Sequence, residues 1–154
     1  MNPLDKIVQF NELAGNECCK RPLEHDLVLT YLSLIKEEQF ELFKAWAEGD
    51  MEETLDGAAD LLTVTSGLLH ALGYNPSDVL NEVCDANLTK YCTTEEEAKA
   101  SVKAYENDGR YYDVHYTQVG DRYVIRGRKT DAQKSDYKIL KGVNTRKPCF
   151  KHLL

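Results

Sequence analysis

The stretch from Lys36 to Asp60 constrains this chain more than any other, because it gathers acids where a helix would hide leucines. It reads K-E-E-Q-F-E-L-F-K-A-W-A-E-G-D-M-E-E-T-L-D-G-A-A-D. Glu37, Glu38 and Glu41 fall on one predicted helix and Glu53, Asp56 and Asp60 on the next, with Gly49-Asp50 as the turn. Like charges three or four residues apart on a helix repel, so the clustering needs a cause. At about 100° per residue, Glu38 and Glu41 share the face of Leu27, Tyr31, Leu34 and Ala45. Glu53, Asp56 and Asp60 form a stripe that continues through Thr63 and Gly67. Asp60 then runs into Leu61-Leu62-Thr-Val-Thr-Ser-Gly-Leu68-Leu69. A carboxylate buried there loses its charge or takes a positive partner. No Lys or Arg lies between Glu53 and Lys90. A hard divalent cation, Mg²⁺ or Mn²⁺, meets the need through carboxylate oxygens. The competing reading is an ordinary helical hairpin with solvated acids. A di-iron bundle fits less well, because its Glu-x-x-His pairs are missing: Lys44 follows Glu41 by three and Thr63 follows Asp60.

These residues resemble the all-α nucleoside triphosphate pyrophosphohydrolases: the MazG group, the dimeric dUTPases and phosphoribosyl-ATP pyrophosphohydrolase. The family pattern is E-E-x-x-E on one helix and E-x-x-D on the next. Glu37-Glu38-Gln39-Phe40-Glu41 meets the first half. In the second, Gly57 stands where a Glu should precede Asp60 by three, and the chain has Asp56-Gly-Ala-Ala-Asp60 instead. That form is similar to a MazG-like branch common in phages and bacteria. Asp85-Ala-Asn87-Leu-Thr-Lys90 resembles the family's N-x-x-K segment. The resemblance covers roughly residues 25–92. It implies an all-α fold and hydrolysis of a (deoxy)nucleoside triphosphate to monophosphate and pyrophosphate. It also implies Mg²⁺ (or Mn²⁺) on Glu38, Glu41 and Asp60, with the remaining ligand open between Asp56 and Glu53. Glu37 becomes a ligand or the base that positions water, and Asn87 and Lys90 hold phosphates. Phe10, Asn11, Tyr31 and Trp46 are candidates for a base pocket, because the first helix should pack near the site. A non-catalytic nucleotide-binding or interaction module is the alternative, with Gly57 marking lost turnover.

Length and charge bound the rest. At 154 residues the chain suits one packed unit with a real core. A net charge of −7 argues against a general nucleic-acid binder. No apolar run is long enough to span a membrane. Five cysteines without an apolar leader read as a reduced, cytoplasmic protein. Cys18-Cys19 with His25 lacks the spacing of a zinc site.

In order, the pattern predicts helices over residues 3–14, 23–48 and 52–72, a fourth from the Asn75-Pro76 cap to Lys90, and a fifth from Thr93/Thr94 to Glu106. The second is apolar on most sides, which predicts a homo-oligomer, dimer or tetramer. His70 reads as a core or interface residue. From Arg110 the period changes to two. Tyr111–Val119 and Arg122–Arg126 flank a Gly-Asp turn as a β-hairpin, and Tyr137–Leu140 adds a short strand. Residues 128–135 are polar, and Asn144–Leu154 is a basic tail. The expected architecture is mainly α, a helical bundle over 1–107 with a small β appendage over 108–154.

Overall fold

The structure is a computed structural model describing residues 2–16, 26–131 and 137–154. The chain is mainly α-helical with a small antiparallel sheet near its C-terminus. It divides into two compact units, Met1–Leu80 (with Leu153) and Asn81–His152 (with Leu154).

In the first unit, α1 spans Pro3–Leu13, α2 Asp26–Glu48 and α3 Met51–Ala71. The expected start of α2 at Leu23, and Cys18, Cys19 and His25, lie outside the described residues. Asn2 caps α1 reciprocally: its Oδ1 accepts from the Asp5 N–H at 3.0 Å, and the Asp5 carboxylate accepts from the Asn2 N–H at 3.3 Å. Gly49, at φ 75°, reverses the chain after α2, a backbone conformation that costs other residues. Asp50 then caps α3 by accepting from the Glu53 N–H at 3.1 Å.

The α2–α3 hairpin is antiparallel and close, and two glycines set the approach. A Cβ on Gly57 would stand 3.2 Å from the Leu42 Cα and 3.3 Å from its nitrogen. A Cβ on Gly67 would overlap the Tyr31 ring, 2.7 Å from Cζ and 2.9 Å from Oη. Around these contacts Val28, Tyr31 and Ala71 are buried, packed by Leu27, Leu34, Val64, Leu68 and Leu72. The first position of the E-x-x-D pattern, Gly57, therefore sits where a side chain would point at the backbone of α2. A polar cluster joins the three helices. Buried Asn11 donates to the Ile7 carbonyl at 2.9 Å, and its Oδ1 accepts from the Tyr31 hydroxyl and from Asn16 Nδ2. The buried His70 ring meets the Asn16 carbonyl at 3.1 Å, so the expected core role of His70 holds.

α2 keeps a wide apolar stripe in solvent. Leu29, Leu32, Phe40, Phe43 and Trp46 fall within roughly 120° of one another on the helix. The two phenylalanines are 70% and 65% exposed and Trp46 66%. α3 adds Met51, Leu55 and Leu62, also exposed.

α4 spans Pro76–Leu88, with Asn75 Oδ1 accepting from the Ser77 N–H at 2.8 Å. The second unit takes in the end of α4, then α5 (Glu95–Glu106), β1 (Tyr111–Val119), β2 (Arg122–Lys129) and β3 (Lys138–Leu140). Thr94 caps α5 through the Glu97 N–H, and the Glu97 carboxylate accepts from the N–H of Thr93, one residue before the cap, at 2.8 Å, a variant of the expected capping box. The sheet order is β1-β2-β3, all antiparallel. The hairpin runs three residues further than its alternating pattern suggested, because Gly127 breaks the alternation in sequence but not in space. Its α5-facing side is filled by Leu140 and Val114, which a Cβ at 127 would meet at 2.9 and 3.0 Å. Between Tyr112 and His115 the register slips, and Asp113 takes a φ of 53°. One face of the sheet packs on α5 around Ile125, Leu140, Ala98 and Cys92. Cys92 also pairs with Tyr123 through two 2.9 Å backbone hydrogen bonds. The basic tail is tied down rather than free: Arg146 pairs with Glu82, and the Cys149 N–H donates to the same carboxylate at 2.7 Å. Those donors hold Glu82 below the usual carboxylate range.

Candidate active site

The acids come together because the hairpin pairs α2 and α3 head to tail. Leu42 meets Gly57 and Tyr31 meets Gly67, so positions summing to about 98 face each other. That rule sets Glu38 opposite Asp60 and Glu41 opposite Asp56–Gly57. The electrostatics agree. The Glu38 carboxyl is raised above its ordinary value, first by partial desolvation, then by the charges of Asp60, Glu41, Glu37 and Asp56 in that order. The other four acids implied by the motif thus all act on the Glu38 carboxyl.

The sequence placed these acids among leucines, with Asp60 buried. The structure moves them to the rim. Glu38 is half-buried, and Glu37, Glu41, Asp56 and Asp60 are exposed. The close glycine contacts explain the shift, since they bring the helix backbones together and leave the acid positions at the margin of the seam. Among the described residues none of the five carboxylates has a hydrogen-bond or ion-pair partner. Lys44 comes near the group only at the cleft by the turn, about 230 Å³ in volume, which Glu41, Lys44, Ala45, Glu48, Asp50 and Glu53 line. Glu53 therefore remains beside Glu41 as the rival to Asp56.

These residues suit a hard divalent ion by donor chemistry, since they offer oxygens alone and an unneutralised negative field. Among the described residues, no three acidic, His or Cys side chains converge at bonding distance. Nothing pins the carboxylates apart either. They are held by no partner, so rotation about their side-chain bonds, opposed only by mutual repulsion, is what an ion would have to drive.

The other expected residues are distributed as follows. Lys90 Nζ donates to Asn87 Oδ1 at 2.8 Å in the second unit, both side chains at the surface end of α4. Asn11 is only 2% exposed and spends its polar atoms on Ile7, Tyr31 and Asn16. Trp46 lies at the edge of the exposed stripe of α2. Sequence reasoning missed the Asn11–Tyr31 pairing. The signal that could have found it is the small residue at 67, which leaves room for a ring on the facing helix.

The phosphoribosyl-ATP pyrophosphohydrolase family model matches residues 9–87, just over half of the chain and inclusive of every acid of the two helices. No curated protein and no solved structure matches the chain.

Proposed function

The chain belongs to the phosphoribosyl-ATP pyrophosphohydrolase family, and from that premise we propose that it hydrolyses a nucleoside or deoxynucleoside triphosphate to the monophosphate and pyrophosphate, with Mg²⁺ or Mn²⁺ as cofactor. The family makes it a pyrophosphohydrolase acting on nucleotides. The observation that supports the finer reading is the Glu38 carboxyl, raised by partial desolvation and then by four neighbouring acids, none of which has an ion-pair partner among the described residues. Such an arrangement destabilises the fold unless it is kept for a ligand.

In this reading Glu38, Glu41 and Asp60 hold the ion, with Asp56 completing the set. A divalent ion bound there supplies positive charge to the polyphosphate and lowers the pKa of water. Glu37, one residue outside the Glu38 face, ligates or orients the attacking water. Asn87 fixes the Lys90 ammonium through their hydrogen bond, and Lys90 offers a point charge to the phosphates. The chain has no G-x-x-x-x-G-K-[ST] cradle of the kind that supports attack at the γ-phosphorus. Attack falls instead at the α-phosphorus, and pyrophosphate leaves. The exposed apolar stripe of α2 is covered by another copy of the chain, in a dimer or tetramer.

The test is a nucleotide panel with Mg²⁺ in water enriched in heavy oxygen, with products separated by chromatography. Label in a monophosphate, with pyrophosphate as co-product, is expected. Label in inorganic phosphate with a diphosphate accumulating would refute the mechanism.

A further inference from the structure

The whole-chain charge of −7 conceals a segregation. Residues 1–80 carry five Lys/Arg against fifteen Asp/Glu, whereas residues 81–154 carry fourteen against eleven, so the two parts stand at −10 and +3. Within residues 107–154 the count is eleven basic against five acidic. An argument from net charge against polyanion binding therefore applies to the first unit and not to the sheet.

The sheet concentrates that charge on one face. The strand register puts Ile125, Gly127 and Leu140 against α5, so the alternate positions face the other way: Arg122, Val124, Arg126 and Arg128 on β2, and His115 and Thr117 on β1. Three arginines then stand in a row about 20 Å long, at roughly 3.3 Å per residue. Aromatic rings interleave with them at one end. Tyr112 pairs across from Arg128, the Arg128 guanidinium lies 4.3 Å over the Tyr137 ring, and His115 meets the edge of Tyr137 at 5.1 Å. Tyr112 and Tyr137 are 47% and 42% exposed. The bulge at Asp113 brings its carboxylate to the Tyr137 hydroxyl and within 3.8 Å of Arg128, which fixes the ring and guanidinium together. Arg126 bonds to Thr117 and has no acidic partner among the described residues; the Asp121 carboxylate lies 3.8 Å from Arg122 but both are exposed.

Val124, between Arg122 and Arg126, is buried, so the row is exposed through its arginines rather than along its whole length. We propose that this arginine-bearing face of the sheet is a binding surface for single-stranded nucleic acid, distinct from the acidic helical site. Arg122, Arg126 and Arg128 follow the phosphates, and Tyr112, Tyr137 and His115 stack on bases. Two properties select this occupant. A row of charge about 20 Å long exceeds the span of one nucleotide's phosphates and suits a chain of them. Tyr112, and Tyr137 on the side that Arg128 leaves uncovered, accept unpaired bases, which a duplex hides in its stack.

The test is fluorescence anisotropy of the full-length protein with a labelled oligothymidylate of about 16 nucleotides. Chelator is present throughout, so that metal bridging at the acidic helices contributes nothing. Binding at about 50 mM salt is expected, with log K falling against log salt at a slope near −2, from about 0.7 per phosphate contact. Arg126→Gln should flatten that slope by about 0.7. Tyr112→Leu with Tyr137→Leu should weaken binding at least about tenfold and leave the slope unchanged. Circular dichroism and nucleotide hydrolysis should be unaltered in every variant. No binding at low salt overturns the proposal, as does equal binding by Arg126→Gln combined with Arg128→Gln. Equally tight binding of duplex, or of a polyphosphate chain lacking bases, also overturns it, because either would mean a bare anion patch.

Discussion

Replacing Gly67 by alanine tests the account of the helical hairpin directly. Alanine is the better helix former by about 1 kcal/mol, so propensity alone says the variant is more stable. The structure says the reverse. The new methyl would sit 2.7 Å from Tyr31 Cζ and 2.9 Å from Oη, well inside carbon–carbon contact. The ring has nowhere to go, since it is 8% exposed and its hydroxyl is bound to Asn11. Relief means separating α2 from α3 or swinging the ring out, an overpacking cost of about 1–3 kcal/mol. Breaking the Tyr31–Asn11 bond adds about 1 kcal/mol. After the propensity gain, the net loss is about 1–3 kcal/mol, or roughly 1 M in the urea midpoint. Far-UV circular dichroism during urea titration reads it. Gly57→Ala is the internal comparison: its contacts at 3.2–3.4 Å are crowded but stop short of overlap, so the propensity gain offsets much of the crowding and it should lose less stability than Gly67→Ala. Tyr31→Leu should also rescue Gly67→Ala, with a coupling of about 1 kcal/mol or more. A Gly67→Ala protein as stable as wild type would sink the packing argument.

Three other outcomes are expected. Asp60→Asn should abolish hydrolysis and weaken Mn²⁺ binding by calorimetry at least about tenfold, while the metal-free protein becomes slightly more stable; wild-type turnover would remove Asp60 from the ligand set. Glu38 has a folded pKa above its unfolded value, so its ionised form opposes folding above the folded pKa, and that penalty disappears as pH falls below the unfolded value, about 4.3. Urea midpoints in chelator should therefore improve on acidification by more in wild type than in Glu38→Gln, and parallel pH profiles would contradict this. Phe40→Lys with Phe43→Lys should release a 17.5 kDa monomer in light scattering, since each ring forfeits about 1.5–3 kcal/mol of burial; an unchanged larger mass would place the subunit contact elsewhere.

Local chemistry made most of the fold readable. Asn75-Pro76, Thr94 with Glu97, and Gly49-Asp50 each announce a helix end by a backbone donor or a positive φ they satisfy, and each end falls within a residue or two of its expectation. The acid motif was readable because carboxylates among leucines are unusual on any helix. What periodicity could not give was depth. A helical wheel assigns a face but not the distance between two faces, and two glycines set that distance here, so acids expected in the core stand at its rim. Asn11 shows the same limit in reverse: a polar residue on a first helix looked available to a base, and its partners came from Tyr31, twenty positions away. The arginine row was hidden by summing charge over units that differ in sign.

The bulge at Asp113 also governs how this sheet meets other sheets. β1 is an edge strand of nine residues with no partner on its outer side among the described residues, long enough to template a second chain. An incoming strand would find regular donors and acceptors only from His115 onward. At Asp113 the positive φ turns the backbone out of register and interrupts the ladder after two residues at the Tyr111 end. The opposite edge is kept short by the three residues of β3 and closed further along by Cys92. The regular run left on β1 is His115–Val119, and the other border has the three residues of β3, so each is shorter than the six or seven residues of a fibre-forming segment.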